Sequence, residues 1–161
     1  MALLTDSIEI SAPVERTFAY LTDVERIPEW LPNVVGAQRV SAIRAGPGAE
    51  IVVAIEVAGT QRRGRCRVEE SEPPNRLVLT STVDIGVTST ISFDLAANGR
   101  QTRLAAIVEY TLTGGGLGGL LASLFADRVA RRDTRAALRN LKARIEAEPG
   151  ERTPPVTHAV P

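Results

Sequence analysis

The sequence predicts an α+β fold in which one long C-terminal helix covers a seven-stranded, mostly antiparallel sheet. Seven segments alternate apolar and polar residues and are joined by short connections, which is typical of antiparallel strands. A long run near the C-terminus is rich in Ala, Leu and Arg and contains neither proline nor glycine, which predicts a helix. The length of 161 residues and the hydrophobic content of 43% fit one domain with a sizeable core.

The N-terminal part of the chain is predicted to be a strand followed by a helix. In DSIEIS, two isoleucines alternate with polar residues, which indicates a strand. In SAPVERTFAYLTD, the residues Val14, Phe18 and Leu21 recur at helical spacing, which indicates a short amphipathic helix. Ser11 is a candidate N-cap for this helix, and Pro13 suits its first turn.

The stretch DVERIPEWLPNV contains the only tryptophan of the chain, Trp30, between two prolines. Asp23 can cap a second short helix over residues 24–29. Pro28 and Pro32 lack backbone donors, and we interpret them as holding a stiff, non-helical bend that presents the tryptophan. Trp30 then either faces the open end of the sheet or plugs the core beneath the two short helices.

Six further segments are predicted strands. One of them, AEIVVAIEV, places Val53 and Ile55 on an apolar face, and the next places Arg62 and Cys66 on one face with three other arginines opposite. The Asn-Gly pair in AANGR predicts a tight hairpin between the last two strands. A slip of one residue would reverse every face, so the predicted lining depends on the register. The six segments are VVGAQRVSAI, AEIVVAIEV, TQRRGRCRVEES, RLVLTSTV, VTSTISFDL and TRLAAIVEYTL.

A glycine-rich segment, TGGGLGG, precedes the long helix. It is predicted to be irregular and is either a hinge or lid beside a cavity or a plain connector. The run LLASLFADRVARRDTRAALRNLKARIEAE is predicted to be one helix, with Ala126, Ala130 and Thr134 on one side and Arg132 and Arg139 opposite. The basic side is expected to face water, so the small side chains face the sheet.

The stretch IEISAPVERTFAYLTDVERIPEWLPNV, and the order of one strand, two short helices, six strands, a glycine loop and a long helix, resemble polyketide cyclase-like and coenzyme Q-binding-like proteins of the START-related (SRPBCC) superfamily. The resemblance covers about residues 4–147. It implies a helix-grip fold, in which a curved antiparallel sheet wraps around the long helix with an apolar cavity between them. That superfamily includes lipid carriers, aromatase/cyclases and hormone receptors, so the resemblance leaves the function open.

We expect a folded ligand-binding domain over residues 1–147 and a disordered, proline-rich tail over 148–161. Small side chains on the helix leave space above the sheet, whereas a close-packed small core is the alternative. The aromatic content of 4% predicts aliphatic cavity walls that suit a lipid, an isoprenoid or a polyketide-like molecule. The candidate ligand-binding residues are Trp30, Val53, Ile55, Arg62, Cys66, Ser81, Ser89, Phe93, Tyr110, Ala126, Ala130 and Thr134.

Few residues qualify for catalysis. The only histidine, His158, lies in the tail, and Cys66 is the only cysteine, so we expect no metal site and no cofactor. Tyr110 as an acid and Arg62 as the partner of an enolate or phenolate would serve a polyketide aromatase/cyclase or dehydratase. Alternatively, Tyr110 is a core residue without a catalytic role, and Arg62 extends its charged group into solvent. No inward-facing carboxylate is recognised, which counts against an enzyme.

The leading hypothesis is therefore binding or transport of a small hydrophobic ligand, with the cyclase and a protein-interaction module as alternatives. The net charge of zero, and arginines without interleaved aromatic residues, predict no nucleic acid partner. The basic helix face, or an apolar tip at Leu121, Leu124 and Phe125, would suit peripheral contact with a membrane or a protein, whereas a solvated face is the alternative. No spanning run or secretory signal is recognised, so we expect a cytoplasmic protein. The oligomeric state is left open.

Overall fold

The computed structural model describes residues 2–43, 45–112 and 117–148, with side chains described from residue 126 onward in the last range. These residues form the predicted α+β helix-grip fold. The strands are β1 Ala2–Ile10, β2 Val34–Arg39, β3 Glu50–Val57, β4 Thr60–Glu72, β5 Arg76–Val83, β6 Val87–Asn98 and β7 Gln101–Leu112. The helices are α1 Val14–Thr22, α2 Ile27–Trp30 and α3 Leu117–Ala147, and a 3₁₀ turn at Val24–Arg26 precedes α2.

The seven described strands form one antiparallel sheet in the order β1-β7-β6-β5-β4-β3-β2. Strands β2 to β7 follow one another as a meander, and β1 adds beside β7, so β1 and β2 are the edges. The predicted tight hairpin between the last two strands is present, because Asn98 pairs with Gln101. Its two loop residues are Gly99, with a positive φ of 63°, and Arg100, so Asn98 belongs to the strand rather than to the turn. The register of β4 against β5 shifts between Val68 and Glu70, an irregularity of the kind that bends a strand and increases its twist.

Helix α1 has the predicted amphipathic pattern but not the predicted cap. Its apolar side chains are buried along one side. The N-cap is Pro13 rather than Ser11, because the backbone is still extended at Pro13. The N–H of Ser11 instead donates to Oε1 of Glu146 at 2.8 Å, which ties the start of α1 to the end of α3.

Trp30 is the last residue of α2, so the prediction of a non-helical bend at this position is wrong. Pro28 lies in the first turn of α2, where the N–H that it lacks would have no partner within the helix. Asp23 does cap the preceding 3₁₀ turn, because its Oδ1 accepts the N–H of Glu25 at 3.2 Å. The helix predicted over 24–29 is therefore present as two short pieces.

Helix α3 has 31 residues and begins at Leu117, so the prediction that the whole of TGGGLGG is irregular is wrong. Glycine costs about 1 kcal/mol relative to alanine in a helix, and the long run of good helix formers that follows offsets this cost for residues 118 and 119. Residues 113–116 and the predicted tail beyond residue 148 lie outside the described residues. The helix packs mainly against β1 and α2.

One end of the concave face is filled by side chains, and we call it the closed half. Ile10 of β1 and Leu104 of β7 share one core cluster with Leu141 and Ile145 of α3, and all four are 0% exposed. Helix α1 covers β6 and β7 at the same end. The buried side chains of the closed half include Ile10, Trp30, Leu77, Phe93, Leu95, Leu104, Ala106, Leu138, Leu141 and Ile145.

Candidate functional site

Four polar side chains form one row across the sheet. Cα pairing joins Cys66 of β4 to Ser81 of β5. It then joins Ser81 to Ser89 of β6, and Ser89 to Tyr110 of β7. Directly paired residues on one face have Cβ atoms about 5 Å apart, so the four groups are contiguous. They alternate in phase with the buried Leu104 of β7, which places them on the concave face. We call Cys66, Ser81, Ser89 and Tyr110 the polar row.

Apolar side chains flank the polar row on both sides. Toward the closed half, Leu79, Ile91 and Val108 pair across β5, β6 and β7. On the other side, Val83 pairs with Val87. All five are only partly buried, although they point to the face that carries the core. Leu79 and Ile91 pack against the core cluster on one side, and all five keep some surface that water or a ligand can reach. The polar row together with Leu79, Val83, Val87, Ile91 and Val108 is called the open half.

The first part of α3 presents small side chains on the side that faces the sheet. Ala130 and Thr134 are partly exposed, and the same helical stripe continues into the fully buried Leu138 and Leu141. Ala126 lies one turn earlier on this stripe and is also partly exposed. The change from small to large side chains along one stripe therefore coincides with the change from partial to full burial.

Tyr110 connects the polar row to α3. Its hydroxyl donates to Oδ1 of Asp127 at 3.0 Å. The other carboxylate oxygen of Asp127, Oδ2, accepts the Nε–H of Arg131 at 3.0 Å, one helical turn further on. A strand and the long helix are thus joined by a chain of tyrosine, carboxylate and guanidinium.

The protonation states along this chain follow from its hydrogen bonds. Arg131 and then Tyr110 hold the pKa of Asp127 below its ordinary value, since both donate to the charged carboxylate. Burial raises the pKa of Tyr110, and the neighbouring carboxylate raises it further. At neutral pH Asp127 is therefore ionised and Tyr110 keeps its proton, which is directed to the carboxylate.

Asp127 is the residue that sequence reasoning missed, since no inward-facing carboxylate was recognised. The signal was present in the spacing of Asp127 and Arg131, which is i and i+4 on a helix and favours an ion pair. It was also present in the position of Asp127 directly after Ala126, on the small-residue side of the helix. The structure adds Asp127 and Arg131 to the candidate site.

Cys66 makes a single side-chain contact in the polar row. Its thiol donates to Oγ of Ser81 at 3.6 Å, a long, weak bond typical of sulfur. Burial raises the pKa of the thiol, and the bond to Ser81 only partly opposes this rise. The group is therefore a neutral thiol at neutral pH, with the chemistry of a small apolar side chain rather than of a nucleophile.

Arg62 is not brought together with Tyr110. It lies on the inward side of β4 beside Ile55, two inward positions from Cys66. This separation is about 13 Å along the strand, and β5 and β6 lie between β4 and β7. Arg62 is exposed and makes no ion pair with any residue in the described part of the chain. The described contacts therefore do not join the two candidate catalytic residues into one centre.

Four of the predicted lining residues lie in packed regions. Trp30 and Phe93 are buried in the closed half, with ring centroids 6.5 Å apart and ring planes at 80°. Val53 is buried in a smaller cluster beside β2, and the partly buried Ile55 packs against it. The indole Nε1 of Trp30 is buried and has no hydrogen-bond partner among the described residues.

The arginines of α3 line a cleft of about 670 Å³ between this helix and β1. Their charge is partly neutralised, because Arg135 lies 3.6 Å from Asp6 and Arg132 pairs with Asp133 at 3.2 Å. The side chains of Leu121, Leu124 and Phe125 lie outside those described. The predicted membrane or protein contact through these surfaces stays a prediction.

Two further observations concern metals and membranes. Across the described residues, no group of three or more His, Cys, Asp or Glu side chains is placed to hold a metal ion. No helix in this part of the chain has the length and hydropathy that a membrane span needs.

Comparison with known sequences gives a match over most of the chain. A family model described as polyketide cyclase/dehydrase and lipid transport matches residues 1–146. No curated protein matches the chain in a sequence search.

Solved structures with the same fold are numerous. The protein TTHA0849 from Thermus thermophilus is 23% identical with a TM-score of 0.76, and the match covers 91% of this chain and 98% of that one. The Zhui aromatase/cyclase from a Streptomyces species is 16% identical with a TM-score of 0.77, covering 90% and 93%. A START superfamily protein from Mycobacterium smegmatis is 18% identical with a TM-score of 0.63, covering 89% and 97%. At these identities the similarity establishes the fold alone.

Proposed function

The chain belongs to the polyketide cyclase/dehydrase and lipid transport family, and we propose that it binds a small hydrophobic molecule in the open half of its concave face. The observation that carries this proposal is the set of partly exposed apolar side chains at inward positions, next to the small residues Ala126, Ala130 and Thr134. A close-packed core would have buried these side chains, as it does in the closed half.

Apolar burial supplies the driving force for this binding. Each square ångström of apolar surface removed from water contributes about 25 cal/mol. A ligand that buries about 300 Å² would gain roughly 7 kcal/mol before the loss of its own freedom is subtracted. The walls are mostly aliphatic, so lipids, isoprenoids and polyketide-like molecules are the proposed ligand classes. The polar row crosses these walls and would fix the orientation of a polar group on the ligand.

The experiment for this proposal is native mass spectrometry of the purified protein, followed by organic extraction of anything bound. We expect a mass increment that matches one small molecule, and an extract that contains a lipid, an isoprenoid or a related apolar compound. The protein is also titrated with the hydrophobic fluorophore N-phenyl-1-naphthylamine. A bare protein that does not bind this fluorophore would contradict the proposal.

One observation favours a second function, that of a polyketide aromatase/cyclase or dehydratase. Tyr110 carries a proton in the open half, and Asp127 is a carboxylate bonded to it, so an acid and a charged partner are close together. In this reaction the O–H of Tyr110 would turn away from Asp127 and donate its proton to a ketone or hydroxyl oxygen of the substrate, and the Asp127–Arg131 pair would hold the ring in place. Arg62 has no part in this arrangement because of its distance.

The second function is tested by incubating the protein with a synthetic poly-β-ketone and following its cyclisation by liquid chromatography and mass spectrometry. We expect products that have lost water to form faster with the wild-type protein than with Tyr110→Phe. Equal rates for the two proteins and for buffer alone would contradict an enzymatic role while leaving ligand binding in place.

A further inference from the structure

We infer that the ligand presents a hydroxyl group, rather than a ketone, aldehyde or ether oxygen, to Tyr110 and Ser89. This inference rests on the proposed binding function and names the chemical class of its ligand. The class is a neutral apolar alcohol or phenol. The hydrogen-bonding state of the polar row is the observation behind it.

The first step concerns the proton of Tyr110. A phenol has one O–H to donate, and that of Tyr110 is directed to Oδ1 of Asp127 at 3.0 Å. An ionised carboxylate only accepts, and its second oxygen already takes the Nε–H of Arg131. The proton of Tyr110 therefore has a fixed acceptor, and the phenolic oxygen has only lone pairs left to offer.

The second step concerns Ser89, which pairs directly with Tyr110 across β6 and β7. Ser89 is partly exposed, and its hydroxyl makes no hydrogen bond with any group in the described part of the chain. A serine hydroxyl rotates freely, so it can donate to a ligand oxygen or accept from one. Ser81, one strand further, already accepts the thiol hydrogen of Cys66.

Tyr110 and Ser89 together provide one acceptor and one donor for a ligand. A ligand hydroxyl can donate to the phenolic oxygen of Tyr110 and accept from Ser89 at the same time, which satisfies both. A carbonyl or ether oxygen only accepts, so it leaves the lone pairs of Tyr110 desolvated and without a donor. The uncharged, partly exposed apolar rows on either side suit the hydrocarbon part of such an alcohol.

The test compares three probes that share one hydrocarbon chain: farnesol, farnesal and farnesyl methyl ether. Their dissociation constants are measured by displacement of N-phenyl-1-naphthylamine from the full-length protein. We expect farnesol to bind wild-type protein about tenfold more tightly than either of the other two probes, since one buried acceptor without a donor costs about that much. Farnesal controls for size, because it is no larger than farnesol.

Tyr110→Phe removes the acceptor and is expected to bring the three dissociation constants within about twofold of one another. The matched control is Tyr20→Phe, which removes another buried tyrosine hydroxyl bonded to a carboxylate, that of Glu29, away from the polar row. It is expected to keep the preference for farnesol. The comparison of the three probes on wild-type protein needs no variant and stands even if Tyr110→Phe is unstable.

The outcomes separate the two levels of the proposal. Equal affinities of wild-type protein for all three probes would overturn the hydroxyl inference and leave hydrophobic binding intact. A preference for farnesol that persists in Tyr110→Phe would also overturn the inference, since a group other than Tyr110 would then bind the ligand hydroxyl. Failure of wild-type protein to bind the fluorophore and all three probes would overturn the proposed function and this inference with it.

Discussion

The closed and open halves of the concave face share strands β5 to β7 and helix α3, yet only the closed half is fully buried. In the closed half, Leu104 lies beneath Leu141 and Ile145 with no exposed surface. In the open half, Ile91 and Val108 face the same way but stay partly exposed. The difference follows one stripe of α3, on which Ala126, Ala130 and Thr134 are small and Leu138, Leu141 and Ile145 are large. The same stripe of α3 therefore completes the core in the closed half and leaves side chains partly exposed in the open half.

The largest expected effect is a difference in stability between the two halves. Leu141→Ala is expected to lower the free energy of unfolding by about 2–5 kcal/mol, because it leaves a cavity in a packed region. Ile91→Ala in the open half is expected to cost roughly half as much, since Ile91 is already partly exposed and no new cavity closes around it. Chemical denaturation measures both, and equal losses would contradict the distinction between the halves.

The second prediction concerns the volume beside Ala130 that the ligand is proposed to occupy. Ala130→Leu is expected to weaken binding of N-phenyl-1-naphthylamine about tenfold or more, because the added methyl and methylene groups occupy the volume of the ligand. Stability is expected to change by less than about 1 kcal/mol, because the new side chain is buried without displacing others.

The control for this change is Ala143→Leu, which adds the same side chain at an exposed position of the same helix. It is expected to leave fluorophore binding unchanged. If both variants bind as wild-type protein does, the small side chains of α3 do not border the binding site.

The third prediction concerns the hydrogen bond between Tyr110 of the sheet and Asp127 of α3. The pKa of Asp127 in the folded protein lies below its ordinary value of 3.8, so its charged form stabilises the fold above this pH. The stabilisation is lost as the pH falls through the lowered pKa. The difference in free energy of unfolding between wild-type protein and Asp127→Asn is therefore expected to be largest near neutral pH and to shrink below about pH 3.8.

Denaturation across a pH series measures this difference. Glu109→Gln serves as control, because Glu109 is exposed on the outer face of β7 and has no ion pair within the described ranges. A pH-independent difference for Asp127→Asn would show that the carboxylate contributes through shape rather than charge.

The smallest expected effect is spectroscopic. The chain has two tyrosines, and burial is the main cause that raises the pKa of both Tyr20 and Tyr110. The ultraviolet absorbance of phenolate is therefore expected to appear above pH 10 in the folded protein and nearer pH 10 in denaturant. In Tyr20→Phe the signal belongs to Tyr110 alone. A titration of this variant at the ordinary pH would contradict the described burial of Tyr110 and its bond to Asp127.

The sequence was sufficient for the fold because its signals are local and repeated. Alternation identifies a strand and its faces, and Gly99 marks the tight turn after β6, so the strands and the hairpin were predicted correctly. The cap at Ser11 and the bend at Trp30 were wrong, because each depends on backbone angles that several residue types allow.

The site was predicted less well, because it depends on how strands and helix meet. The polar row requires the register of four strands, which alternation alone leaves open by steps of two residues. Tyr110 was predicted without Asp127, its hydrogen-bond partner, which lies 17 positions away on another element. Arg62 was paired with Tyr110 on parity alone, although the strand order separates them.

The most direct test of the account follows the methyl groups of both halves by nuclear magnetic resonance while N-phenyl-1-naphthylamine is added. Large chemical-shift changes are expected for the methyl groups of Leu79, Ile91 and Val108, and little change is expected for those of Leu104, Leu141 and Ile145. Changes confined to the closed half or to the outer face of the sheet, or no changes at all, would contradict the claim that the open half receives a ligand.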